Sequence, residues 1–155
     1  MPREIERKFL IKGEYKSLAT SVTRIVQGYI VNDVARTVRV RICDRHAYLT
    51  IKGTSSDDGL ERYEFEQEIP LCEAENLMRL CLPGVVEKCR HIVPWGNHVF
   101  VVDEFLGANA PLVLAEVELQ EKDETFEVPP FMGEEVTGDP RYYNLSLHLH
   151  PYSLW

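Results

Sequence analysis

The chain has no apolar segment of the kind that inserts into a membrane. No uninterrupted apolar run approaches the roughly 18 residues that a membrane helix needs, and no apolar stretch follows a basic start at the N-terminus. The four cysteines do not form the short paired spacings typical of zinc sites, and no secretion signal accompanies them. We therefore expect a soluble cytoplasmic protein with reduced thiols and no membrane partner.

Basic residues are also scarce. The 155 residues include 17 lysines and arginines against 25 aspartates and glutamates, which gives a net charge of −8. This balance argues against nucleic acid as a partner, because binding along a phosphate backbone needs a basic surface. It leaves room for a small anionic ligand in a local basic cluster. The length and the 45% hydrophobic content predict one domain over residues 1–155 with a single core.

Helical patterns are few, and alternation with a period of two dominates the chain. The predicted strands cover residues 3–11, 23–31, 36–43, 46–53, 61–69, 84–93, 97–106 and 111–119. Eight mostly antiparallel strands with little helix predict a mainly β (α+β) fold, an eight-stranded barrel or a strongly curved sheet.

The predicted helices are short and flank the strands. One piece falls at 13–21, and a second at 72–82 has an apolar stripe and stops before Pro83 and Gly84. A C-terminal helix at 141–149 is predicted because Asp139 can cap it with a proline at the first position. The stretch at 121–133 is expected to be irregular.

Charged side chains repeat at every second position on several strands, with apolar residues between them. The ordinary interpretation is a sheet whose charged face meets solvent and whose apolar face meets the core. The alternative is a barrel with its apolar face outward and its charged face inward. The charges concerned are Glu4, Glu6, Lys8, Arg39, Arg41, Lys52, Glu64, Glu66, Lys88, Arg90, Glu116 and Glu118.

Electrostatics limits the inward arrangement. Two carboxylates two residues apart on a strand lie about 6.6 Å apart and repel by roughly 2.5 kcal/mol at an effective dielectric of 20. Several such pairs in one lumen need cations, and divalent metal ions suit glutamate oxygens. The six basic residues need an anion by the same reasoning, and arginine suits phosphate. The six acids and six bases together sum to zero.

The stretch EIERKFL (4–10) resembles the N-terminal Glu-x-Glu-x-Lys signature of the CYTH family, the triphosphate tunnel metalloenzymes, and the similarity runs along the whole chain. Other matching stretches are QGYI, TVRVRI, LTIKG, RYEFEQEIP, EKCRH, VDEF, AEVEL and EVTGDPRYYN. The resemblance, closest to short bacterial-type members, implies an eight-stranded antiparallel tunnel that binds a triphosphate and divalent cations. It implies hydrolysis of inorganic tripolyphosphate with Mg²⁺ or Mn²⁺, and a possible homodimer.

The resemblance also implies roles for individual residues. It places metal-binding or other acidic tunnel residues at Glu4, Glu6, Glu64, Glu66, Glu116 and Glu118. It places phosphate-binding cations at Lys8, Arg39, Arg41, Lys52, Lys88 and Arg90. Asp103 is either a further tunnel carboxylate at the metal site or part of a salt bridge within the wall. Tyr29 and Lys88 match a catalytic dyad proposed in the family; a water activated by metal and oriented by a glutamate is the other arrangement for the base.

Three functions stay open on the sequence. The first is a tripolyphosphatase. The second is a nucleoside or thiamine triphosphatase or a class IV adenylate cyclase, although no stretch indicates a purine pocket. The third is a noncatalytic polyphosphate- or nucleotide-binding module, which the Glu-x-Glu pairs disfavour because binding an anion does not call for a carboxylate cluster.

Overall fold

The computed structural model describes residues 3–155, apart from the side chains of Arg3 and Leu145. Nine strands form one sheet. They are β1 (Arg3–Ile11), β2 (Ser21–Asn32), β3 (Thr37–Cys43), β4 (His46–Lys52), β5 (Glu61–Ile69), β6 (Val86–Trp95), β7 (His98–Phe105), β8 (Val113–Glu118) and β9 (Met132–Glu135). Two α-helices, α1 (Leu71–Met78) and α2 (Asn144–Leu149), and four single turns of 3₁₀ helix complete the described chain.

Eight of the strands close into an antiparallel barrel. Their order around the ring is β5-β4-β3-β2-β6-β7-β8-β1, and β1 returns to β5. The seam is short, because β1 pairs with β5 only through Arg3–Tyr63, Glu4–Arg62 and Ile5–Glu61. The later part of β1 pairs with β9 instead. The predicted eight-stranded barrel is confirmed, and β9 is an addition to it.

Tight hairpins connect neighbouring strands of the barrel. The turn between β3 and β4 contains Asp44 with φ of 55°, and the turn between β6 and β7 contains Gly96 with φ of 62°. Glycine and aspartate accept this left-handed backbone more readily than bulky residues do, which suits two-residue hairpins. These turns fix the register that sends alternate side chains to opposite faces of the wall.

The structure corrects several predicted elements. The helix predicted at 13–21 is a single 3₁₀ turn, Lys16–Leu18, because β2 already begins at Ser21. Helix α1 ends at Met78 and does not reach residue 82. Asp139 does cap a turn with proline at its first position, but that turn is a separate 3₁₀ turn, Pro140–Tyr142, and α2 starts afterwards. Strand β9 was not predicted, since four residues are too few to show alternation.

The apolar core lies outside the barrel wall. Outward-facing residues of β1, β6, β7 and β8 pack against the segments that follow β1 and β8. The buried residues of this cluster are Ile5, Phe9, Tyr15, Val93, Phe100, Val102, Ala115, Val117, Leu119, Phe131 and Met132. A smaller cluster places α1 against the outer face of β3 and β4. The charged faces therefore point inward, which is the less ordinary of the two arrangements that the alternation allowed.

One end of the lumen is filled with apolar side chains. Val86, Phe105 and Leu114 continue the inward faces of β6, β7 and β8, and they pack with Tyr142 and Leu147 of the C-terminal segment. The inward face thus changes from charged to apolar along each of these strands. The C-terminal segment consequently covers this end of the barrel.

Among the described residues, no helix combines the length and the apolar character needed to cross a bilayer.

Candidate active site

A cavity of about 560 Å³ occupies the barrel lumen. All eight barrel strands contribute to its lining, which brings together residues that are far apart in the sequence. The predicted residues that line it are Glu4, Glu6, Lys8, Tyr29, Arg39, Arg41, Lys52, Glu64, Glu66, Arg90, Glu116 and Glu118. The two other predicted residues, Lys88 and Asp103, lie behind this surface, 0% and 3% exposed.

We define the acidic wall as the inward carboxylates of β1, β8 and the start of β5, namely Glu4, Glu6, Glu64, Glu116 and Glu118. Lys52 stands between two of them, with Nζ 2.9 Å from Glu4 Oε2 and 3.3 Å from Glu64 Oε2. Burial works against the Glu4 charge, but Lys52 outweighs it and lowers the pKa of Glu4. A hydrogen bond with Glu4, together with burial, raises the pKa of Glu64 to about 7.

The second half of the acidic wall is organised around Lys8. Lys8 Nζ lies 3.5 Å from Glu116 Oε1, and it donates to the backbone carbonyl of Tyr142 at 3.2 Å. Burial and the neighbouring Glu116 raise the pKa of Glu6 well above its ordinary value. Burial opposes the Glu116 charge, yet Lys8 and a hydrogen bond from Glu6 lower the pKa of Glu116 to about 2. The wall therefore holds, side by side, carboxyl groups whose pKa values are shifted in opposite directions.

We define the cationic wall as Arg39 and Arg41 on β3 together with Arg90 on β6. Arg39 donates from Nη2 to Thr50 Oγ1 at 3.1 Å and lies 3.7 Å from Glu66 Oε1. Thr50 Oγ1 in turn donates to the same glutamate oxygen at 2.8 Å. Glu66 therefore orients Arg39, and it stands apart from the carboxylates around Lys8 and Lys52.

Arg41 differs from the other two members of the cationic wall. Its Nε donates to Gln27 Oε1 at 3.2 Å, and within residues 3–155 it forms no salt bridge. Burial and the positive charges of Arg39 and Arg90 lower the pKa of Arg41. An arginine stays protonated in proteins nevertheless. Arg41 thus presents a partly buried positive charge that no carboxylate of the described chain neutralises.

Asp103 binds the two cations of β6. It accepts two hydrogen bonds from Arg90 at 2.8 Å each, and its Oδ2 lies 2.8 Å from Lys88 Nζ. Burial opposes the Asp103 charge, but Arg90 and Lys88 outweigh it and lower its pKa. This placement matches the salt bridge within the wall, and both carboxylate oxygens are already occupied.

Lys88 is a buried lysine with little solvation. Burial is the main cause that lowers its pKa to about 7, with Asp103 acting in the opposite direction. Its Nζ also donates to Asn144 Oδ1 of α2 at 3.3 Å. Tyr29 lines the cavity and contacts His148 edge-on at 5.5 Å between ring centres. No hydrogen bond joins Tyr29 to Lys88 in the described chain, so the two do not form a bonded dyad in this conformation.

The donor chemistry of the acidic wall fits a divalent cation. No three acidic, histidine or cysteine side chains of residues 3–155 surround a single point closely enough to hold a metal by themselves. Mg²⁺, however, usually takes one or two protein carboxylates and completes its shell with water and substrate phosphate oxygens. Burial and the Glu116 charge raise the pKa of Glu6, so an added positive charge is most favourable beside this pair of carboxyl groups. Glu6, Glu116 and Glu118 are therefore the residues that would hold such an ion.

Sequence reasoning missed several lining residues. Arg62 lines the cavity and shares the inward face of β5 with Glu64 and Glu66, so its position in the alternation could have revealed it. Thr50 could have been found in the same way on β4. Tyr143 and Asn144 could not, because they come from the C-terminal segment that covers one end of the barrel.

Comparison with known proteins agrees with this geometry. The family model described as the CYTH domain matches residues 2–143. An inorganic triphosphatase of Acetivibrio thermocellus is 47% identical over 154 residues, which cover 98% of this chain and 97% of that protein. An inorganic triphosphatase of Nitrosomonas europaea is 36% identical over 151 residues, covering 94% and 97%.

A solved structure shares the barrel as well. The crystal structure of the inorganic triphosphatase NE1496 superposes with a TM-score of 0.64 at 33% identity, covering 94% of this chain and 97% of that one. The family model spans most of the sequence, and the relatives match nearly from end to end. The chain belongs to the CYTH family.

Proposed function

We propose that the protein is a metal-dependent triphosphatase that hydrolyses a phosphoanhydride bond of inorganic tripolyphosphate and releases pyrophosphate and phosphate. The observation that carries this proposal is the unneutralised charge of Arg41, which lines a closed lumen beside Arg39 and Arg90. A cluster of three guanidinium groups with one unpaired member favours a polyanion. The names of the two curated relatives support the same activity.

The cofactor we propose is Mg²⁺ or Mn²⁺, held by Glu6, Glu116 and Glu118. Both ions accept carboxylate and phosphate oxygens, and neither requires sulfur or imidazole ligands. The imidazole of His98 lines the lumen, but its Nε2 is already paired with Glu124. When bound, the cation supplies positive charge to the phosphate oxygens and lowers the cost of bringing the substrate to a row of glutamates.

Most of the catalytic work assigned to the chain is positioning. Phosphoryl transfer needs the phosphate held in line with its attacking water and needs the charge on its oxygens offset. The cationic wall binds the oxygens from one side, while Lys8 and Lys52 reach the lumen from the other side with their ammonium groups already oriented by Glu116 and Glu4. Because these groups are fixed before the substrate arrives, little reorganisation is required during the reaction.

Two groups are candidates for accepting the proton of the attacking water. Lys88 has the appropriate pKa, since a base works best when its pKa lies near the operating pH. Tyr29 lines the cavity, which supports a role for its hydroxyl in orienting the water. The alternative base is a glutamate of the acidic wall, which needs no movement of Lys88 out of its contacts with Asp103 and Asn144.

The experiment that tests the function is phosphate release from tripolyphosphate, ATP, thiamine triphosphate and pyrophosphate, each with Mg²⁺, Mn²⁺ or EDTA. Cyclic AMP is measured in the ATP samples. We expect tripolyphosphate to be the best substrate and EDTA to abolish its turnover. Preference for ATP or thiamine triphosphate would replace the substrate we propose. Absence of hydrolysis with every metal would leave a binding module as the function.

A further inference from the structure

Gln27 is a fully buried amide next to the cationic wall. It lies on β2 at 0% exposure, opposite Arg41 on β3 and opposite Val86 on β6. Residues directly opposite each other in antiparallel strands share a face, so Gln27 points to the same side of the wall as Arg41. It stands behind the cavity surface and does not line it.

The hydrogen bonds of Gln27 are incomplete. Its Oε1 accepts from Arg41 Nε, which fixes the orientation of the amide, and its Nε2 is buried without a partner in the described chain. A buried donor without a partner lowers the stability of a protein. An apolar residue of the same shape would remove this donor but would leave Arg41 Nε–H without its acceptor, so the exchange brings no clear gain or loss. Stability therefore does not explain this glutamine.

Electrostatics gives a reason for an amide at this position. Arg39, Arg90, Lys8 and Lys52 each lie within 4 Å of a carboxylate, whereas the partner of Arg41 is neutral. An amide oxygen accepts the Nε–H and adds no negative charge. A glutamate at the same place would hold the guanidinium equally well but would neutralise it.

The bond to Nε also determines where the rest of Arg41 points. A guanidinium is planar, so holding its Nε fixes the direction of the two terminal nitrogens. Those nitrogens are the pair that binds phosphate oxygens in a bidentate manner. Orientation before binding reduces the loss of side-chain freedom when the ligand arrives.

We propose that Gln27 is a positioning residue for the triphosphate. It holds Arg41 by its Nε, leaves the guanidinium charge available, and so sets the affinity of the cationic wall for a phosphate chain. This inference rests on the proposed function for the identity of the ligand, but it concerns binding and is separable from hydrolysis.

The test compares variants of Gln27 with the wild-type protein by calorimetric titration with tripolyphosphate in EDTA, with thermal unfolding and turnover measured in parallel. We expect Gln27→Leu to weaken binding on the order of tenfold, since it loses a hydrogen bond to a charged group, with no decrease in Tm. Gln27→Glu is expected to weaken binding more than Gln27→Leu. In turnover assays with Mg²⁺, the change should fall mainly on KM and little on kcat.

Arg41→Met provides the background that shows how Gln27 acts. Adding Gln27→Leu to Arg41→Met should change the affinity by less than about twofold, because the residue acts through the arginine. Asn109 provides a matched control: it is another buried amide, 5% exposed, whose Oδ1 accepts from Tyr152 N away from the lumen. Asn109→Leu should lower Tm and leave the affinity for tripolyphosphate unchanged.

Several results would overturn the proposal. Wild-type affinity in Gln27→Leu would do so, as would wild-type affinity in Gln27→Glu, because the acceptor alone would then be sufficient. A loss of affinity that accompanies a loss of Tm would indicate a structural role. If the wild-type protein binds tripolyphosphate but hydrolyses none, the proposed function fails and the inference about Gln27 stands on the titrations. If it binds none, both fail.

Discussion

The acidic wall and the cationic wall face each other across one lumen, but they balance charge in different ways. The acidic wall is largely neutralised internally: Lys8 and Lys52 stand among its carboxylates, and acidic neighbours together with burial raise the pKa of Glu6 and of Glu64. The cationic wall is neutralised incompletely, because Arg41 faces a neutral amide. The acidic wall can therefore exchange a proton for a metal ion, and the cationic wall keeps a positive charge that can bind an anion.

The difference shows why a lumen with nearly equal numbers of acids and bases is not electrically inert. Paired charges inside a protein mainly orient one another, and the unpaired ones determine what binds. Asp103 illustrates the first case, since it takes up both Arg90 and Lys88. Arg41 illustrates the second.

The largest effect should come from the acidic wall. Glu116→Gln removes a carboxylate proposed for the cation and leaves Lys8 without its ion pair. We expect a loss of at least about 100-fold in kcat/KM with Mg²⁺, since several kcal/mol of charge stabilisation depend on that ion. The measurement is the Mg²⁺ dependence of phosphate release. Glu135→Gln is the control, because its carboxylate pairs with Arg7 on the outer surface. A loss below tenfold with unchanged Mg²⁺ dependence would contradict the assignment.

The next largest effect distinguishes Arg41, which forms no salt bridge in the described chain, from Arg90, which is paired with Asp103. Arg41→Met should weaken tripolyphosphate binding about 10- to 100-fold, as expected for losing a hydrogen bond to a charged group. It should lower Tm less than Arg90→Met does: it breaks no ion pair and removes a repulsion from Arg39 and Arg90, although Gln27 Oε1 loses its donor.

Arg90→Met is the matched comparison, and it should lower Tm because buried Asp103 loses two hydrogen bonds. Titration calorimetry and thermal unfolding measure both variants. Equal destabilisation by the two substitutions would remove the distinction between paired and unpaired members.

The acidic wall should exchange protons for metal. Glu6 and Glu118, two of the residues proposed to hold the cation, have raised pKa values, so the protons that they carry at acidic pH must leave when a cation binds. Mg²⁺ affinity should therefore rise with pH by up to about tenfold per unit for each displaced proton, and level off above the higher pKa. Calorimetry in buffers of different ionisation enthalpy counts the protons released.

The raised pKa of Glu64, in the same wall, gives a stability prediction with a defined sign. A raised pKa in the fold means that the folded protein binds more protons than the unfolded chain, so the stability from Glu64 is fully present below about pH 4.5 and is lost as pH rises through about 7. Metal-free Tm should fall over that interval, and Mg²⁺ should restore it. Glu64→Gln should flatten the profile; an unchanged slope would show that Glu64 does not titrate there.

The smallest expected effect is a shift in the pH dependence of kcat/KM, which identifies the group that accepts the proton of the attacking water. If Lys88 accepts the proton, kcat/KM should rise with pH through about 7, the pKa of the free enzyme. Because Asp103 raises the pKa of Lys88, Asp103→Asn should move this rise in kcat/KM, the acid limb of the pH profile, to lower pH. Glu104→Gln, on the outer face of the same strand and paired with Lys16, should leave the limb in place. A limb that moves with Glu64→Gln and not with Asp103→Asn would assign the base to the acidic wall.

Much of the barrel could be predicted because its signal is local. Alternation depends only on neighbouring residues, so all eight barrel strands and the charged faces that carry Glu4, Arg39 and Glu116 could be read from the chain. Whether those faces point inward could not be read from alternation alone. The four residues of β9 carry too short a pattern, and the 3₁₀ turn at Pro140–Tyr142 shares its capping residues with an α-helix.

The contacts between residues of the site were harder to predict from the sequence. Whether Asp103 meets a metal or Lys88 depends on which strands are neighbours and on the depth of each side chain in the wall, and neither is encoded in a period of two. The same holds for Asn144 and Gln27, whose importance comes from contacts with residues 56 and 14 positions away. Sequence spacing identifies which residues share a face, and only the assembled ring shows that the charged face points inward and which of its charges cancel.

The position of the apolar core outside the wall has a consequence for how the family can change. In a barrel filled by its own side chains, a new inward residue must fit the packing or leave a void. Here the residues that keep the chain folded, such as Phe100 and Val117, face away from those that meet the ligand. An inward substitution therefore alters charge and hydrogen bonding without disturbing that packing. Because the two sets of residues are separate, the inward residues can change and bind a different ligand during evolution while the residues that fold the barrel are retained.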